Sequence, residues 1–299
     1  MKVLIAGATG YLGSHLVDFL RSKGYLVETL SRDPQRAEKA LGVPSWEFSI
    51  NTPIEEKAFD GVEVVINLMG DSLGKGIFWG ASKKKRLIES RIDTTKKLVH
   101  EIPKNVKTLI NASAIGIYPS SGEIFKEEGL VLNNSQKFLQ KLVTNWEAEA
   151  DNFSGRRVLL RTGVVLGPNS EFIDTLTGVI SWGLGGNLGS GQNWISWIHL
   201  HDWLRIVEEA CISPVYQGPI NLTSPNPVVL EDIGRSIADY LNRPYFFHVP
   251  EFMLKLLGDK KEIILANQRV LPVKAINLGF EFNYLYAEDA LQQSLTSSK

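Results

Sequence analysis

The stretch from Val3 to Leu16, VLIAGATGYLGSHL, restricts the fold of this chain more than any other. A short apolar run meets Gly7, Gly10 and Gly13, and an apolar pattern with helical period begins directly after them. A buried strand that turns sharply into a helix needs a residue without a side chain at the turn and another where the helix packs on the strand. The stretch therefore predicts a strand, a glycine-rich turn and a helix.

The same geometry creates a site for a nucleotide. The middle glycine lets a ligand approach the backbone, and the free N–H groups at the start of the helix attract a pyrophosphate. A tight turn that binds nothing is the alternative interpretation, because glycines collect in many turns. The strand before the glycines and the helix after them favour a dinucleotide.

The composition is that of an ordinary globular protein. The chain has 299 residues, of which 43% are hydrophobic and 22% charged, with a net charge of −1. This balance argues against a nucleic-acid partner. No apolar run is long enough to span a bilayer and the first strand begins at residue 3, so we expect no signal peptide, no membrane partner and a cytoplasmic location.

Cysteine and histidine content argue against a metal centre. Cys211 is the only cysteine, which excludes an internal disulfide and a thiolate cluster. His199 and His201 alternate beside Asp202, among tryptophans. That pattern is more typical of a packed segment than of a metal site.

Strand and helix patterns alternate through the first half of the chain. We predict strands near Val3–Ala6, Leu26–Leu30, Trp46–Ser49, Val62–Leu68, Thr108–Asn111 and Val158–Arg161, and helices near Leu12–Lys23, Pro34–Leu41, Lys83–Glu101 and Gln136–Asn152. The alternation is typical of an α/β protein of the Rossmann type, a doubly wound parallel sheet with helices on both faces.

The sequence changes character after residue 165. Glycines and tryptophans crowd residues 178–197, which predicts loops over a cleft rather than a regular core. A helical pattern begins near Leu230 and places Ile233, Ile237 and Leu241 on one face. We predict that residues 1–229 form an NAD(P)-binding Rossmann-like domain with this cleft segment, and that residues 230–299 form a small, mostly helical C-terminal domain.

The end of the second predicted strand indicates which dinucleotide binds. An NAD site places Asp or Glu there for the ribose, whereas a 2′-phosphate needs a cation. The residues are Ser31, Arg32 and Asp33. The Arg32 guanidinium suits a phosphate, and Ser31 offers a hydroxyl beside it. Asp33 is the competing signal, unless it caps the helix that begins with Pro34. The arrangement favours NADP(H).

Ordered motifs along nearly the whole chain carry a family resemblance. Besides the opening glycines they are Asn67-Leu68-Met69-Gly70, Ser90-Arg91-Ile92-Asp93-Thr94-Thr95, Asn111-Ala112-Ser113-Ala114-Ile115-Gly116-Ile117-Tyr118, Trp146-Glu147, Arg161-Thr162-Gly163-Val164-Val165-Leu166-Gly167, Gly189-Ser190-Gly191, Trp197-Ile198-His199, Asn221-Leu222-Thr223-Ser224-Pro225-Asn226-Pro227 and Arg269-Val270-Leu271-Pro272. On these motifs the chain resembles an atypical short-chain dehydrogenase/reductase of the extended type, in the "epimerase family protein" group with a small C-terminal domain of unknown function.

The resemblance implies NADP(H) binding and a set of residues for it. Ser31 and Arg32 would lie near the 2′-phosphate, Leu68 and Met69 on the adenine side, and Arg91 on the helix that lines the cleft. The remaining predicted cofactor residues are Gly7, Thr9, Gly10, Tyr11, Leu12, Gly13, Gly70 and Ser113.

The chain lacks the superfamily's usual proton donor. The superfamily uses a Tyr with a Lys four residues later on one helix, because the ammonium lowers the pKa of the phenol. No tyrosine of this chain has Lys four residues on, and alignment on Glu147 puts Leu139 and Val143 at the two positions. Any reaction must therefore use another acid, or water.

Three other side chains are candidate catalytic groups. Ser113 matches the family's catalytic Ser or Thr, although a one-residue shift would place Ala114 there. Tyr118 and His199 offer a hydroxyl and an imidazole, and each also suits a structural role in packing or hydrogen bonding. Two functions stay open: an NADP(H)-dependent oxidoreductase or epimerase acting on a small polar metabolite, and a non-catalytic NADP(H)-binding sensor.

The resemblance also suggests a homodimer. Superfamily members often pair through two helices, which here correspond to residues 83–101 and 136–152. Apolar side chains on these helices either form such an interface or face the protein's own sheet, and both interpretations stay open: Leu87, Leu98, Leu139 and Leu142.

Overall fold

The chain folds around a central sheet of seven parallel strands. The structure, a computed structural model, describes residues 1–74, 76, 78–128 and 137–297. In chain order its strands are β1 (Lys2–Ala6), β2 (Leu26–Ser31), β3 (Ser45–Glu47), β4 (Val62–Asn67), β5 (Thr108–Ala114), β6 (Ile124–Phe125), β7 (Arg156–Thr162), β8 (Val164–Leu166), β9 (Gly185–Leu188), β10 (Trp194–Ile195), β11 (Trp197–His199), β12 (Gly218–Leu222), β13 (Val228–Val229), β14 (Tyr245–Val249) and β15 (Arg269–Val270).

Helices connect and cover these strands. They are α1 (Tyr11–Ser22), α2 (Pro34–Leu41), α3 (Ala81–Ile88), α4 (Thr94–Glu101), α5 (Phe138–Ala150), α6 (Glu171–Ser181), α7 (Leu200–Ile212), α8 (Leu230–Leu241), α9 (Glu251–Lys255), α10 (Lys261–Ile264), α11 (Val273–Asn277) and α12 (Ala287–Thr296). In the described part of the chain, no helix combines the length and apolar character that a bilayer span requires.

The strand order β12-β7-β5-β4-β1-β2-β3 makes the sheet doubly wound. Strand order reverses at β1, and in such sheets ligands bind in the crevice beyond the carboxyl ends at that point. One apolar cluster, with Leu16 of α1 and Trp203 of α7, covers one face of the sheet. A second cluster, with Leu98 of α4 and Ala150 of α5, covers the other. The predicted Rossmann-type α/β fold is confirmed.

The glycines of the opening motif differ in what a side chain would meet. Gly7 has φ +81°, and a Cβ there would lie 2.7 Å from the carbonyl oxygen of Leu68. A Cβ on Gly13 would lie 2.5 Å from the carbonyl oxygen of Gly7, where α1 crosses the end of β1. A Cβ on Gly10 would meet only that same oxygen, at 3.4 Å. Gly7 and Gly13 are therefore fixed by packing within the chain, and the space beside Gly10 is open.

Most predicted elements of the first half agree with the structure to within a few residues. The predicted helix 83–101 is α3 and α4 joined by a π-helical turn, Glu89–Asp93. The predicted helix 136–152 corresponds to α5, with Gln136 outside the described residues. The seventh sheet strand, β12, was not predicted. Its short run Gly218–Leu222 contains a proline at the sheet edge, which weakens the strand signal.

The expectation of loops after residue 165 is wrong in part. Helix α6 extends into the start of the glycine-rich region and ends at Ser181, β9 pairs with β14, and β10 pairs with β13. Gly186 is required by this pairing, since a Cβ there would lie 1.9 Å from the carbonyl oxygen of Phe247. The glycines therefore permit close strand contact, which a glycine-as-loop interpretation misses.

A smaller C-terminal region packs against the sheet domain. An apolar cluster joins α6, α8 and α12 through side chains such as Ile180, Ile237 and Leu291. Strand β15 pairs with β6 of the first half. The domain boundary at residue 229 stays a prediction.

The apolar side chains considered for a dimer interface lie inside the chain. Leu87, Leu98 and Leu142 are buried, and Leu139 packs beside Leu142 in one cluster. A homodimer stays a prediction, and these side chains do not support it.

Replacing Gly10 and Gly13 by alanine, one at a time, should show which of the two glycines is required for packing. We expect Gly13→Ala to lower the free energy of unfolding by about 1–3 kcal/mol, because the new methyl group overlaps backbone atoms. Gly10→Ala should change it by less than about 1 kcal/mol. Urea unfolding followed by circular dichroism measures both. Equal losses would contradict the packing role assigned to Gly13.

Candidate functional site

The crevice at the carboxyl ends of β1 and β4 contains an uncapped helix N-terminus. No side chain caps α1, whose N-cap is Gly10, and its first turn has no acidic residue. The free amides and the helix dipole therefore favour an anion at this point. Thr9 and Gly10 are exposed in the turn, and Tyr11 and Leu12 begin the helix beside them.

Arg91 is a buried cation beside this crevice. It lies in the π-helical turn, is 9% exposed, and its Cζ lies 5.3 Å from the ring centre of Trp146. Its Nη1 is shielded from solvent and has no hydrogen-bond partner among the described residues. Burial lowers the pKa of Arg91 to about 10 and the charge of Asp71 opposes that shift, so the side chain stays charged at neutral pH.

An unpaired buried guanidinium is costly unless a ligand supplies its partner. Asp71 does not, because it pairs with Lys83 and Arg86. Gly70 leaves room for the arginine, since a Cβ there would lie 3.1 Å from its Cζ. The open amides of α1 and the orphaned Arg91 fit an anionic ligand such as a dinucleotide pyrophosphate.

Asparagines hold the strand ends that shape the crevice. Asn67 donates to Asn111 Oδ1 at 2.7 Å and to Thr95 Oγ1 at 2.8 Å, which ties β4 to β5 and to α4. Its own Oδ1 accepts from the Met69 backbone at 3.2 Å. The Leu68 backbone donates to the Ala6 carbonyl at 2.8 Å. Leu68 and Met69 are thereby fixed beside the glycine turn.

At the end of β2, the Asp33 carboxylate caps a helix, whereas the Arg32 guanidinium is exposed. Asp33 caps α2, where its Oδ1 accepts from the Arg36 backbone at 3.1 Å. The Ser31 hydroxyl accepts from the Asp33 backbone at 3.2 Å. Arg32 is exposed and forms no ion pair within the described ranges. The capping interpretation of Asp33 therefore agrees with the structure.

Two contacts cross the mouth of the crevice. The Tyr11 hydroxyl donates to the Pro168 carbonyl at 3.0 Å. The Ser72 hydroxyl bonds to both carboxylate oxygens of Glu171, at 2.7 and 2.9 Å. The loop before α6 therefore contacts α1, and the first residue of α6 contacts the loop after β4.

Ser113 belongs to a buried ionic network. Its hydroxyl donates to Glu147 Oε1 at 2.5 Å. The two oxygens of Glu147 accept from Arg161 Nε at 2.9 Å and Arg161 Nη2 at 2.8 Å. Burial opposes the charge on Arg161, but the hydrogen bonds and charge of Glu147 raise its pKa overall. From the sequence alone, Glu147 and Arg161 stand out only as members of family motifs. The one local indication that they pair is that each is a charged residue within an apolar run.

Tyr118 joins the same network from the other side. Its hydroxyl accepts from Arg161 Nη1 at 2.8 Å and donates to Asn221 Oδ1 at 2.8 Å. The side chain is 2% exposed and stacks on Phe125. Burial raises the pKa of Tyr118. Its geometry favours the structural role.

His199 lies apart from Ser113 and Tyr118, at the start of α7. Its Nδ1 accepts from the His201 backbone at 3.2 Å, and its Nε2 lies 2.8 Å from Gln293 Oε1. The ring stacks on Tyr284. Burial lowers its pKa. Both ring nitrogens are therefore used, and the catalytic roles of Ser113, Tyr118 and His199 stay predictions.

Comparison with known proteins agrees with this geometry. The model of the NAD dependent epimerase/dehydratase family matches residues 3–214. The chain belongs to this family. A second model, "Domain of unknown function (DUF1731)", matches residues 249–294. The predicted resemblance to epimerase family proteins is confirmed.

Relatives of the same group match over nearly the whole chain. The epimerase family protein YfhF of Bacillus subtilis is 35% identical, covering 100% of this chain and 99% of its own. The "Epimerase family protein SDR39U1 homolog, chloroplastic" of Arabidopsis thaliana is 36% identical, covering 98% of this chain and 86% of its own.

Solved structures of this family share the fold. Human epimerase family protein SDR39U1, crystallised with NADPH, superposes with a TM-score of 0.87 at 24% identity, covering 99% of both chains. A nucleoside-diphosphate sugar epimerase from Corynebacterium glutamicum gives 0.78 at 28% identity, covering 99% of this chain and 58% of the other.

The Glu147–Arg161 pair should be a major source of stability. We expect Glu147→Ala to lower the free energy of unfolding by about 3–5 kcal/mol, because it leaves the Arg161 charge buried and unpaired. The matched control is Asp151→Ala, which breaks the exposed pair with Arg157 and should cost about 1 kcal/mol or less. Urea unfolding of both variants tests this, and similar losses would contradict it.

Proposed function

We propose that the chain is an NADP(H)-dependent oxidoreductase or epimerase acting on a small polar metabolite. Arg91 carries the cofactor part of the proposal. Its guanidinium is buried and its Nη1 has no partner in the described residues. An anion at the uncapped start of α1 would supply that partner, and a dinucleotide pyrophosphate has the required charge.

The end of β2 supports NADP(H) over NAD(H). Asp33 Oδ1 accepts from the Arg36 backbone as the cap of α2, so one of the two carboxylate oxygens that an NAD ribose would need is already used. Arg32 is exposed and available for a 2′-phosphate, next to the Ser31 hydroxyl. The human relative crystallised with NADPH supports the same choice.

The chain's own groups would position the cofactor and substrate. A bound nicotinamide supplies hydride transfer. Ser113 lies near the carboxyl end of β5, and its hydroxyl donates a hydrogen bond to Glu147. The lone pairs of that hydroxyl would accept a hydrogen bond from a substrate hydroxyl. Glu147 in turn pairs with Arg161 at 2.8 Å. Ser113 would therefore orient the substrate, and water or the substrate itself would exchange the proton.

A specific observation favours the second candidate, a non-catalytic NADP(H)-binding sensor. Tyr118 and His199 use all their polar atoms in buried contacts. Two hydrogen bonds cross the crevice, from Tyr11 to Pro168 and from Ser72 to Glu171. Binding of a dinucleotide in the crevice would change these contacts, and a partner protein could recognise that change. A cytoplasmic location stays a prediction for either function.

Two arginine variants should separate cofactor choice from cofactor binding. We expect Arg32→Ala to cost about 1.5–3 kcal/mol of NADPH affinity and to leave NADH affinity unchanged, because only NADPH has a 2′-phosphate. Arg91→Gln should weaken both by a similar factor. Isothermal titration calorimetry measures the four affinities, with Arg157→Gln as the exposed control.

Equal NADPH and NADH affinities in the native protein would contradict the NADP(H) choice. An Arg91→Gln variant that binds both cofactors normally would remove Arg91 from the site.

Turnover should depend on Ser113 alone among the three candidate groups. We expect Ser113→Ala to lower kcat by up to ~10²-fold, because the substrate loses the acceptor that orients it, with NADPH affinity unchanged. Tyr118→Phe and His199→Gln should lower stability by about 1–3 kcal/mol through unpaired buried partners, with little effect on kcat. Nicotinamide absorbance, followed against a metabolite panel, measures turnover.

An effect of Tyr118→Phe or His199→Gln on kcat, at unchanged stability, would contradict this assignment. A native protein that binds NADPH and turns over no compound of the panel would favour the sensor.

A further inference from the structure

A small sheet in the C-terminal region packs on the protein through one face. Strand β14 pairs in parallel with β9, and in the described part of the chain the two form a sheet of their own. Tyr245 and Leu188 pack from this sheet against the apolar cluster of α6 and α8. Gly234 of α8 leaves room for the Tyr245 ring, since a Cβ there would overlap it. Side chains of the sheet that do not join this cluster are left to the solvent.

A β-bulge places two consecutive phenylalanines on the solvent side of β14. The register of β14 against β9 shifts between Tyr245 and Phe247, so Phe246 is the additional residue. Successive side chains of a regular strand point to opposite faces, and a bulge interrupts that alternation. The rings of Phe246 and Phe247 stack with their centres 4.7 Å apart, and both residues are exposed. The bulge therefore creates an exposed aromatic pair.

The end of α6 adds a third aromatic side chain beside the strand. Trp182 follows the last residue of α6 and is exposed. A Cβ on the next residue, Gly183, would lie 4.0 Å from Pro244 Cγ, directly before β14. Trp182 therefore lies next to the start of the strand that carries the aromatic pair.

Helix α9 extends the exposed apolar surface beyond the end of β14. It follows the strand after Pro250, and Phe252, Met253 and Leu256 are exposed. Their spacing puts these three side chains on one side of a helical turn, whereas Leu254 is buried. We define six exposed side chains as the β14 patch: Trp182, Phe246, Phe247, Phe252, Met253 and Leu256.

The β14 patch has nearly the area that a stable dimer needs. Trp182, Phe246, Phe252 and Phe247 are 84%, 70%, 68% and 43% exposed. With about 150–250 Å² for a whole aromatic side chain, these four alone expose roughly 400–650 Å². The largest apolar patch of a typical monomer covers about 300–600 Å², and each partner of a stable complex buries about 800 Å². The other two side chains of the patch bring its area close to that value.

The charges around the patch favour an identical partner over a lipid surface. Residues 239–262, which contain β14 and α9, carry four acidic and four basic side chains. An anionic membrane attracts surfaces with an excess of Lys and Arg, and this segment has no excess. Arg243 lies just before β14 and Glu251 just after it. Two antiparallel copies of the strand, related by a twofold axis, would bring each arginine towards the other copy's glutamate.

We propose that the β14 patch is the interface of a homodimer, in which a second copy of this chain packs its own β14 patch against the first about a twofold axis. This interface differs from one through the helices at residues 83–101 and 136–152, whose leucines pack inside the chain. The dimer does not depend on the proposed function, because no residue of the patch is assigned to the cofactor crevice.

Sedimentation equilibrium of the full chain, without cofactor, tests the interface. We expect the native protein to reach twice the 33.3 kDa mass of one chain as its concentration rises. Phe246→Lys and Phe252→Lys should each raise the dissociation constant of the dimer by at least about tenfold, because both copies then place a charge in the apolar contact. The matched control is Leu26→Lys, which replaces an equally exposed apolar side chain at the start of β2 and should leave the dissociation constant unchanged.

Thermal unfolding and a conservative variant separate dimerisation from a structural role. Dimers are stabilised by mass action, so the melting temperature of the native protein should rise with its concentration. The melting temperature of Phe246→Lys should stay constant, at the value that the native protein has when dilute. Phe246→Leu loses the ring stack on Phe247 but keeps an apolar side chain, so it should dimerise more tightly than Phe246→Lys.

Three results would overturn the proposal. The first is a native protein that is monomeric at every concentration. The second is a dimer that both lysine variants leave intact, which would place the interface elsewhere on the chain. The third is a monomer that binds vesicles of phosphatidylcholine and phosphatidylserine and loses this binding in Phe246→Lys, which would assign the patch to a lipid surface. A failure of the proposed function to be confirmed leaves these measurements unchanged, since none of them uses NADPH.

Discussion

A bidentate ion pair between Arg161 and Glu147 ties the end of β7 to α5 on the β5–β7–β12 half of the sheet. Both side chains are buried, so the pair persists only because each remaining donor or acceptor finds a partner. Ser113 of β5 donates a further hydrogen bond to Glu147. Tyr118, which follows β5, accepts one from Arg161. The network therefore sets the positions of β5, β7 and α5, and with them the floor of the proposed substrate site.

The superfamily's proton-transfer pair would lie on α5, and here the corresponding positions are apolar. Leu139 and Val143 instead pack into clusters beside the ion pair. Two polar side chains of the same helix, Gln140 and Glu147, are hydrogen-bonded within the chain. Of the three candidate groups, Ser113 is the one whose hydroxyl oxygen accepts no hydrogen bond from the described residues, whereas Tyr118 accepts from Arg161 and His199 accepts from the His201 backbone.

The buried guanidinium groups differ in whether their nitrogens have hydrogen-bond partners in the described residues. Arg161 is fully paired and belongs to the scaffold, whereas Arg91 and Arg269 keep a buried nitrogen without a partner in the described residues. Arg91 adjoins the cofactor crevice and Arg269 is anchored at the opposite half of the sheet's carboxyl edge.

How far the sequence predicts this arrangement depends on the range of each interaction. The glycine turn, α1 and the capping by Asp33 follow from local patterns, and the structure agrees with them. Strand β12 and the pairing of β9 with β14 escape prediction, because short edge strands and glycine-rich strands have weak local signals. The partners of Ser113, Tyr118 and His199 are distant in the chain, so only the structure shows that these side chains are already hydrogen-bonded.

A crystal structure of the complex with NADPH tests the central claim most directly. We predict that the guanidinium of Arg91 lies within hydrogen-bonding distance of a cofactor oxygen at the start of α1, and that Arg32 binds the 2′-phosphate. An NADPH molecule bound elsewhere, or an Arg91 that remains unpaired beside it, would contradict the assignment of this crevice as the cofactor site.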